Sequence, residues 1–587
     1  MQPRSTYEFG PFALDPARRR LLRDGQHVSI PSKAFDVLVA LVEHRGSVVE
    51  KDELLRLVWP GVVVEEGNLS QHVFTLRKIL GEASSTPQYV ATVPRRGYQF
   101  VGTVREAPGP SAHAGVRQTS ADPLVARSLA VLPFAALSPA EGDEYLGFGM
   151  ADALITRLGT IRDAVVRPAS AVRRYLGAPA DPVAAGRELG VDLVLQGAVQ
   201  RSGDRIRITV QLVGIREQAS LWSDHFDEPL ASILTVQDRI ADRVAVALAP
   251  NITADDKRRI ARLGTANVDA HLVCLRGRYR LNRLPDEGVE RAVDEFGQAI
   301  GRDPGYGLAY AGLASCHIIL ASAACDAPAR EATAVAGARA AALKAIEIDE
   351  HLADAHAALA QVKFRWDWDW QKAEDEFTRA LHLDAESVPP RHAYAMYLSA
   401  MGRSTEALDA ITRAQQLEPL SLIVNATLGR VLYLARRHDE AIDQYRRTLD
   451  LDADFADARV GLSLAYLQRS MYDDGVQEMQ RAYDLPGRRP VVLAGLGYAL
   501  AVAKRIEEAK QALAHLQEFH ERGDVPAILL AYPYVGLGDH DRAFEWLEKG
   551  FEERAALLVT LKVDPVFDPL RGDPRFTDLI RRMRLAD

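Results

Sequence analysis

The chain has 587 residues, which is too long for a single hydrophobic core and predicts about three or four domains. Because 48% of the residues are hydrophobic and 26% are charged, the composition excludes an intrinsically disordered chain. The apolar stretch 491–503 is interrupted by glycines and is too short to span a bilayer, and residues 1–10 lack the apolar core of a signal peptide. We therefore expect a cytoplasmic protein without membrane contact.

Charge is distributed unevenly along the chain. Residues 1–105 carry 14 Lys and Arg against 11 Asp and Glu, a net charge of +3, whereas the whole chain carries −9. The other residues therefore carry −12. A basic N-terminal part joined to an acidic remainder fits a module that faces phosphates, carried by a body that avoids nucleic acid.

The first 60 residues predict short strands followed by two helices. Residues 7–30 alternate apolar and polar side chains between turn signals, which is typical of antiparallel strands. One helix is predicted from Ser32 to a stop at Gly46, and a second over 51–59, before Pro60.

A third helix is predicted near 66–80, and it has two different faces. The apolar face repeats at i, i+4, i+7 and i+11, the spacing of a stripe that faces a core, and consists of Leu69, Val73, Leu76 and Leu80. The second face is polar, without Asp or Glu, and consists of Asn68, Gln71, His72, Thr75 and Lys78. A solvent-facing helix usually mixes both charge signs, whereas a helix in a major groove needs donors and acceptors at the base edges. The polar face is therefore predicted to contact DNA, with Arg77 and Lys78 within reach of phosphates.

Two short β runs follow this helix, over 89–102, and their connecting turn contains Arg95 and Arg96. A hairpin tip with two arginines suits a wing that touches the DNA backbone or the minor groove. An alternative interpretation is a small mixed domain whose hairpin binds a partner protein.

The order strands, three helices, hairpin resembles the OmpR/PhoB-type winged helix, and within it the CadC/ToxR-like branch. The motifs that carry the resemblance are NLSQHVFTLRKILG at 68–81 and YVATVPRRGYQFVG at 89–102, and it extends over 7–102. It implies that the third helix lies in the major groove and that the hairpin is the wing. The positions that it implies to face DNA are Gln71, His72, Thr75, Arg77, Arg95 and Arg96. Phe74 and Thr75 stand where many relatives have arginines, so base preference does not carry over.

Residues 106–127 are rich in Pro, Gly, Ser and Ala and predict a flexible linker. Helices and strands then alternate over 128–250, which predicts a small α/β domain. The motifs LAVLPF, a G-x-x-D at 149–152 and ELGVDLVLQGAV resemble a TolB N-terminal-type domain. Surface or capping roles are expected for Asp152, Arg157 and Asp192, with the lining of a pocket as the alternative.

From 265 to 587 the chain repeats with a period of ~34 residues, the tetratricopeptide period. Six small residues share one phase: Ala373, Ala407, Ala441, Gly475, Ala509 and Ala543. Six large apolar residues follow four positions later: Phe377, Ile411, Tyr445, Met479, Leu513 and Leu547. This predicts an all-α solenoid with a groove for a protein or peptide. Trp366, Trp368 and Trp370 are predicted to pack where two helices join, with an aromatic ligand platform as the alternative.

The predicted fold class is therefore multidomain α and α/β: a winged helix at 1–105, a linker at 106–127, an α/β domain at 128–250 and a tetratricopeptide solenoid at 265–587. The predicted function is transcriptional regulation, with double-stranded DNA bound by the winged helix and a ligand or protein partner sensed by the other domains. A homodimer on DNA is a further possibility. We expect no enzyme, no cofactor and no metal site, because no phosphate loop, zinc spacing or catalytic motif occurs. The alternative function is a protein-binding scaffold that does not read DNA sequence.

Overall fold

The protein is represented by a computed structural model that divides into two compact units, Met1–Leu124 and Val125–Asp587. The described residues are 6–16, 20–23, 26–28, 30, 32–58, 66–80, 89–93, 96–107, 128–137, 143, 145–159, 161, 164–177, 181–248, 264–283, 285–324, 327–486 and 490–585.

The N-terminal unit combines two small antiparallel sheets with a cluster of three helices. In chain order its elements are β1 (Thr6–Phe9), β2 (Phe12–Asp15), β3 (Arg20–Arg23), β4 (Gln26–His27), α1 (Ser32–Glu43), β5 (Val48–Glu50), α2 (Lys51–Val58), α3 (Glu66–Leu80), β6 (Val90–Val93), β7 (Gly97–Phe100) and β8 (Arg105–Ala107). One sheet has the strand order β4-β3-β2-β1-β8, and the other has the order β5-β7-β6. The predicted strands, three helices and hairpin are all present, and both sheets pack with the helices around one core.

The second unit begins with a mixed sheet covered by helices. Its elements are β9 (Ser128–Val131), β10 (Ala135–Ala136), α4 (Tyr145–Leu158), β11 (Val165–Val166), α5 (Ala169–Val172), α6 (Pro182–Leu189), β12 (Leu193–Ser202), β13 (Arg205–Gly214), β14 (Ala219–Pro229) and α7 (Ile233–Leu248). The strand order is β11-β9-β12-β13-β14, with β10 also pairing β12. Strands β9, β11 and β12 are parallel and β12 to β14 form an antiparallel meander, which confirms the predicted α/β character.

Helical pairs occupy the rest of the unit. They are α8 (Val268–Arg283), α9 (Pro285–Arg302), α10 (Gly307–Ala323), α11 (Pro328–Ile348), α12 (Ala353–Val362), α13 (Trp370–Leu383), α14 (Val388–Ala400), α15 (Ser404–Leu417), α16 (Leu422–Leu434), α17 (His438–Leu451), α18 (Ala456–Gln468), α19 (Tyr472–Asp484), α20 (Pro490–Val502), α21 (Ile506–Glu521), α22 (Ile528–Leu537), α23 (His540–Glu552) and α24 (Pro574–Arg582). The small and large phase residues fall on the second helix of each pair from α13 to α23, and most of them are buried. The predicted solenoid is confirmed.

The middle domain and the repeats share one core rather than standing apart. Leu275 of α8 packs within the apolar core of the middle domain. Gly149 of α4 makes this possible, because a Cβ atom there would lie 3.1 Å from the Leu275 side chain. Three residues along α4, Asp152 is 1% exposed and accepts hydrogen bonds from the Arg278 guanidinium of α8. The G-x-x-D motif therefore joins the two parts.

Candidate DNA-binding surface

Helix α3 is held in place by the apolar stripe that its sequence predicts. Leu69, Val73, Leu76 and Leu80 are all buried, with Leu80 the most exposed of the four at 4%. They join the core that α1 and α2 also line. The stripe fixes which side of α3 points inward, and so which side its polar residues occupy.

The predicted polar face of α3 lies off this stripe. His72 and Thr75 are half-buried at the surface of the unit. Asn68, Gln71 and Lys78 lie on the same helix, but their side chains are outside the described residues. The structure thus places the five predicted positions on α3 and describes the surroundings of two.

Arg77 contacts the hairpin. Its Nε and Nη2 atoms donate to the Val90 carbonyl oxygen at 3.1 and 2.9 Å, and Nη2 donates to Thr92 Oγ1 at 2.7 Å. Both acceptors lie on β6. The sequence predicts this arginine as a DNA-facing residue near phosphates, and the structure gives its guanidinium partners on the hairpin.

The hairpin tip is closed by local contacts of its turn. The Arg96 amide donates to the Val93 carbonyl at 3.1 Å, and the Lys51 amide donates to the Arg96 carbonyl at 3.3 Å. Gly97 is required here, because a Cβ atom at this position would lie 1.9 Å from the Val49 carbonyl oxygen of β5. The Arg96 side chain is exposed, whereas Arg95 lies outside the described residues. The exposed arginine is therefore carried on a turn tied to both β5 and α2.

An aromatic cluster fixes the base of the hairpin, and the sequence pattern gave no sign of it. Tyr89 packs edge-on to Phe9 and Phe12, with ring centroids 5.5 and 5.7 Å apart, and also contacts Phe100. Gly10, at a φ of +51°, lies directly against the Tyr89 hydroxyl, where a Cβ atom would overlap it. The first sheet thus packs against the base of the hairpin.

The three polar residues considered as a pocket in the middle domain each have separate partners. Asp152 pairs with Arg278, and Arg157 pairs with Asp238. Asp192 accepts hydrogen bonds from the backbone amide and the hydroxyl of Ser128, at 3.1 and 3.0 Å. These contacts support the expected structural roles rather than a pocket.

The first helices of the repeat pairs form a face that the sequence predicts as a groove for a protein or peptide. The chain itself covers part of this face. The C-terminal segment, residues 555–585, contains the 3-10 helices Ala556–Thr560 and Pro565–Leu570 and helix α24. Phe567 is 1% exposed and packs on Tyr532 of α22, with ring centroids 5.2 Å apart. Apolar residues of the same chain therefore cover this part of the face, and a groove that binds a protein or peptide stays a prediction.

Charged contacts also hold the C-terminal segment. Asp564 is 1% exposed, lies 3.6 Å from the Arg430 guanidinium of α16 and accepts from the Val566 amide at 3.1 Å. The Tyr433 hydroxyl, whose pKa is raised by burial, donates to Asp564 at 3.4 Å. Asp568 forms a bidentate pair with Arg436 at 2.7 and 2.8 Å.

The same segment reaches the beginning of the regular repeats. The Trp370 indole donates to the Met583 carbonyl at 3.0 Å, and Ala556 packs in the cluster that contains Trp366. Trp366 and Trp368 are 9% and 8% exposed, which confirms the packing role predicted for this tryptophan run.

Cysteine and metal chemistry find no support in the described ranges. Cys274 and Cys316 are buried, and burial raises the pKa of the Cys274 thiol to about 11 and of the Cys316 thiol to about 12. Cys325 lies outside the described residues. No cluster of His, Cys, Asp or Glu that could hold a metal ion occurs within those ranges, and none of their helices is long and apolar enough to cross a membrane.

Comparison with known proteins matches three family models. Residues 25–100 match the C-terminal domain of transcriptional regulatory proteins, residues 125–243 match the second domain of HilA/YgeH-like transcriptional regulators, and residues 395–454 and 426–490 match the tetratricopeptide repeat. The middle domain therefore matches a HilA-type model, and the resemblance to a TolB N-terminal-type domain stays a prediction.

The relatives include transcriptional regulators and a protein that is named as an enzyme. The transcriptional regulator HilA of Salmonella typhimurium is 24% identical over 417 residues, 68% of each chain. The transcriptional activator CadC of Escherichia coli is 32% identical over 93 residues, 16% of this chain and 18% of CadC. A putative adenylate cyclase 3 of Rhizobium meliloti is 30% identical over 186 residues, 32% of each chain. The chain thus combines an OmpR/PhoB-type domain with HilA/CadC/ToxR-like relatives, a HilA-type second domain and tetratricopeptide repeats.

Proposed function

We propose that the chain is a transcriptional regulator of the HilA/CadC/ToxR type, with α3 in the major groove of DNA and the β6–β7 hairpin as the wing. The observation that carries this is the buried stripe of α3, which fixes the side of the helix that faces the core and leaves His72 and Thr75 half-buried at the surface. A helix so anchored presents hydrogen-bonding side chains at a fixed angle, as base recognition requires. The match of 25–100 to a transcriptional regulatory domain supports it.

In this proposal, two sets of side chains contact different parts of the DNA. Base edges are contacted by Asn68, Gln71, His72 and Thr75, whose amide, imidazole and hydroxyl groups donate and accept hydrogen bonds. Phosphates are contacted by the cations Lys78, Arg95 and Arg96. The exposed position of Arg96 supports its role.

The second unit tunes DNA occupancy from the cytoplasm in this proposal. A protein partner binds the repeat surface outside the part that the C-terminal segment covers, or a ligand binds the middle domain, and either favours a homodimer on DNA. The division into 1–105, 106–127, 128–250 and 265–587 is part of the same proposal. Coupling between such sites typically changes affinity about 5–150-fold.

The test measures binding of the full chain to duplex DNA. A preferred duplex is first selected from a randomised library, and binding to it and to a scrambled duplex is followed by fluorescence anisotropy at several salt concentrations. Each phosphate contact should contribute about −0.9 to the slope of log K against log salt. Gln71→Ala and His72→Ala should remove the preference between the duplexes, since base contacts specify sequence.

Wing and control variants complete the design. Arg95→Ala with Arg96→Ala should weaken both duplexes alike and flatten the slope, because phosphate contacts position without specifying. Arg56→Ala removes an exposed arginine of α2 and should change neither quantity. A flat salt dependence with no sequence preference in the unaltered chain would refute the proposal and favour a protein-binding scaffold.

A further inference from the structure

The contact between Arg77 and β6 joins the two elements assigned to DNA binding. The guanidinium spans two acceptors on one strand, the Val90 carbonyl and the Thr92 hydroxyl, through hydrogen bonds of 2.7 to 3.1 Å. These acceptors belong to residues 13 and 15 positions further along the chain. The contact is therefore tertiary and sets where the hairpin lies against α3.

The edge position of β6 explains how a side chain of α3 reaches its backbone. Within the described strands of this sheet, β6 pairs only with β7. The Tyr89 carbonyl accepts from the Val101 amide across the hairpin at 2.8 Å. Because carbonyls alternate in direction along a strand, the Val90 carbonyl points away from β7. Arg77 donates to this outward-pointing carbonyl, which belongs to a fully buried residue.

We propose that Arg77 is a positioning residue, which fixes the angle and distance between the recognition helix and the wing instead of binding a phosphate. This rests on the proposed function, since it assigns a role within the same DNA-binding surface. The wing is then held at its base by the Tyr89 cluster and along its edge by Arg77, so that only its tip extends to DNA. The recognition helix and the wing are therefore already placed correctly relative to each other before DNA binds. Less conformational ordering of the protein accompanies binding, which strengthens the preference for one sequence.

The chemistry of the side chain makes this separable from a phosphate contact. Arginine presents a planar fork that donates to two acceptors at once, whereas lysine is a flexible point charge. Lysine would serve a phosphate nearly as well, because it preserves the charge. It would not span Val90 and Thr92 together. The Arg77→Lys variant therefore distinguishes the two roles.

The experiment uses the full chain and the two duplexes defined above. Arg77→Lys, Arg77→Ala and Thr92→Val are each compared with the unaltered chain, after circular dichroism shows unchanged melting of the fold. We expect Arg77→Lys and Arg77→Ala to lower the preference for the selected duplex alike, by roughly tenfold, with Thr92→Val following in the same direction by less. The salt slope should stay unchanged in all three variants. Arg96→Ala is the matched control, which should change the slope by about 0.9 and leave the preference intact.

Hydrogen exchange adds a readout that needs no DNA. In the free protein, both Arg77 variants should speed amide exchange in residues 89–100, because the edge of the hairpin is released. An Arg77→Lys variant with the affinity, preference and exchange rates of the unaltered chain would overturn the inference and restore the phosphate role. If the unaltered chain bound no duplex, the proposed function would fail, and the positioning role in DNA recognition with it. If the unaltered chain bound selectively and Arg77→Lys rescued Arg77→Ala, the positioning role alone would fail.

Discussion

Asp564 and Asp568 offer a direct test of how the C-terminal segment is held on the repeats. Both lie in the same segment, and both face an arginine at or just after α16. Asp564 is 1% exposed, whereas the side chains of Asp568 and its partner Arg436 are 44% and 40% exposed. Replacing each by asparagine removes one charge with almost no change in shape. The two substitutions therefore compare a buried carboxylate with an exposed one in the same segment.

The expected costs differ because burial sets the value of an ion pair. Breaking a fully buried pair costs about 3–5 kcal/mol, since the other charge is left without compensation. The Arg430 side chain is 35% exposed, so water compensates it partly and we expect about 2–3 kcal/mol for Asp564→Asn. An exposed pair contributes about 0–1 kcal/mol, which is our expectation for Asp568→Asn.

Hydrogen exchange with mass spectrometry is the suitable assay, because a chain of this size does not unfold in one step. At about tenfold per 1.4 kcal/mol, Asp564→Asn should speed exchange in residues 555–585 by roughly 30- to 150-fold, and Asp568→Asn by at most about fivefold. Faster exchange should also appear in residues 363–370, which contact the same segment nearly 200 residues away in sequence. Equal effects of the two substitutions, or an Asp564→Asn effect confined to its own segment, would refute this reasoning.

Three further expectations concern other buried groups. Asp152→Ala and Arg278→Ala should each lower the opening free energy measured by hydrogen exchange in residues 145–158 and 268–283 by about 3–5 kcal/mol, and a double-mutant cycle should show strong coupling; purely additive losses would argue against an ion pair that joins α4 and α8. Burial raises the pKa of Asp384 to about 6, so its folded form holds a proton that the unfolded chain releases near pH 4; stability should therefore fall by roughly 3 kcal/mol in total as pH rises from about 3 to 7, and Asp384→Asn should abolish that part of the pH profile in thermal melts. Cys274 and Cys316 should stay unlabelled by maleimide at pH 7.5 until denaturant is added, which peptide mass spectrometry would detect.

The sequence predicted those parts of the fold that depend on local periodicity. Helix α3 was expected near 66–80 with Leu69 and Val73 inward, and both expectations are confirmed. The phase of the repeats was equally readable, because each helical pair must bury the same small and large positions against its neighbours. Both patterns can be recognised from the spacing of residue types along the sequence alone.

Partners that lie far apart in sequence could not be predicted in the same way. The sequence around Arg77 does not indicate that its hydrogen-bond acceptors lie on β6, because an arginine at this position of the helix is equally consistent with a phosphate contact. The C-terminal segment is a second case, because VDPVFDPL reads as an ordinary proline-containing loop. One signal was available: Val566, Phe567 and Leu570 are apolar where the end of a repeat array should be polar. That surplus of apolar side chains required a surface to bury them.

Contacts between distant parts change how the repeats should respond to a partner. In an open repeat array each pair contacts only its neighbours, so a disturbance at one end fades along the chain. Here the Trp370 indole donates a hydrogen bond to the Met583 carbonyl. The Ser170 hydroxyl of the middle domain donates one to the Glu418 carboxylate, just before α16. These contacts link parts of the unit that the intervening pairs separate along the chain. If a partner binds the repeats as proposed, we expect it to affect the pairs that these contacts link as well as the neighbouring pairs, because such contacts give a disturbance a second route through the unit.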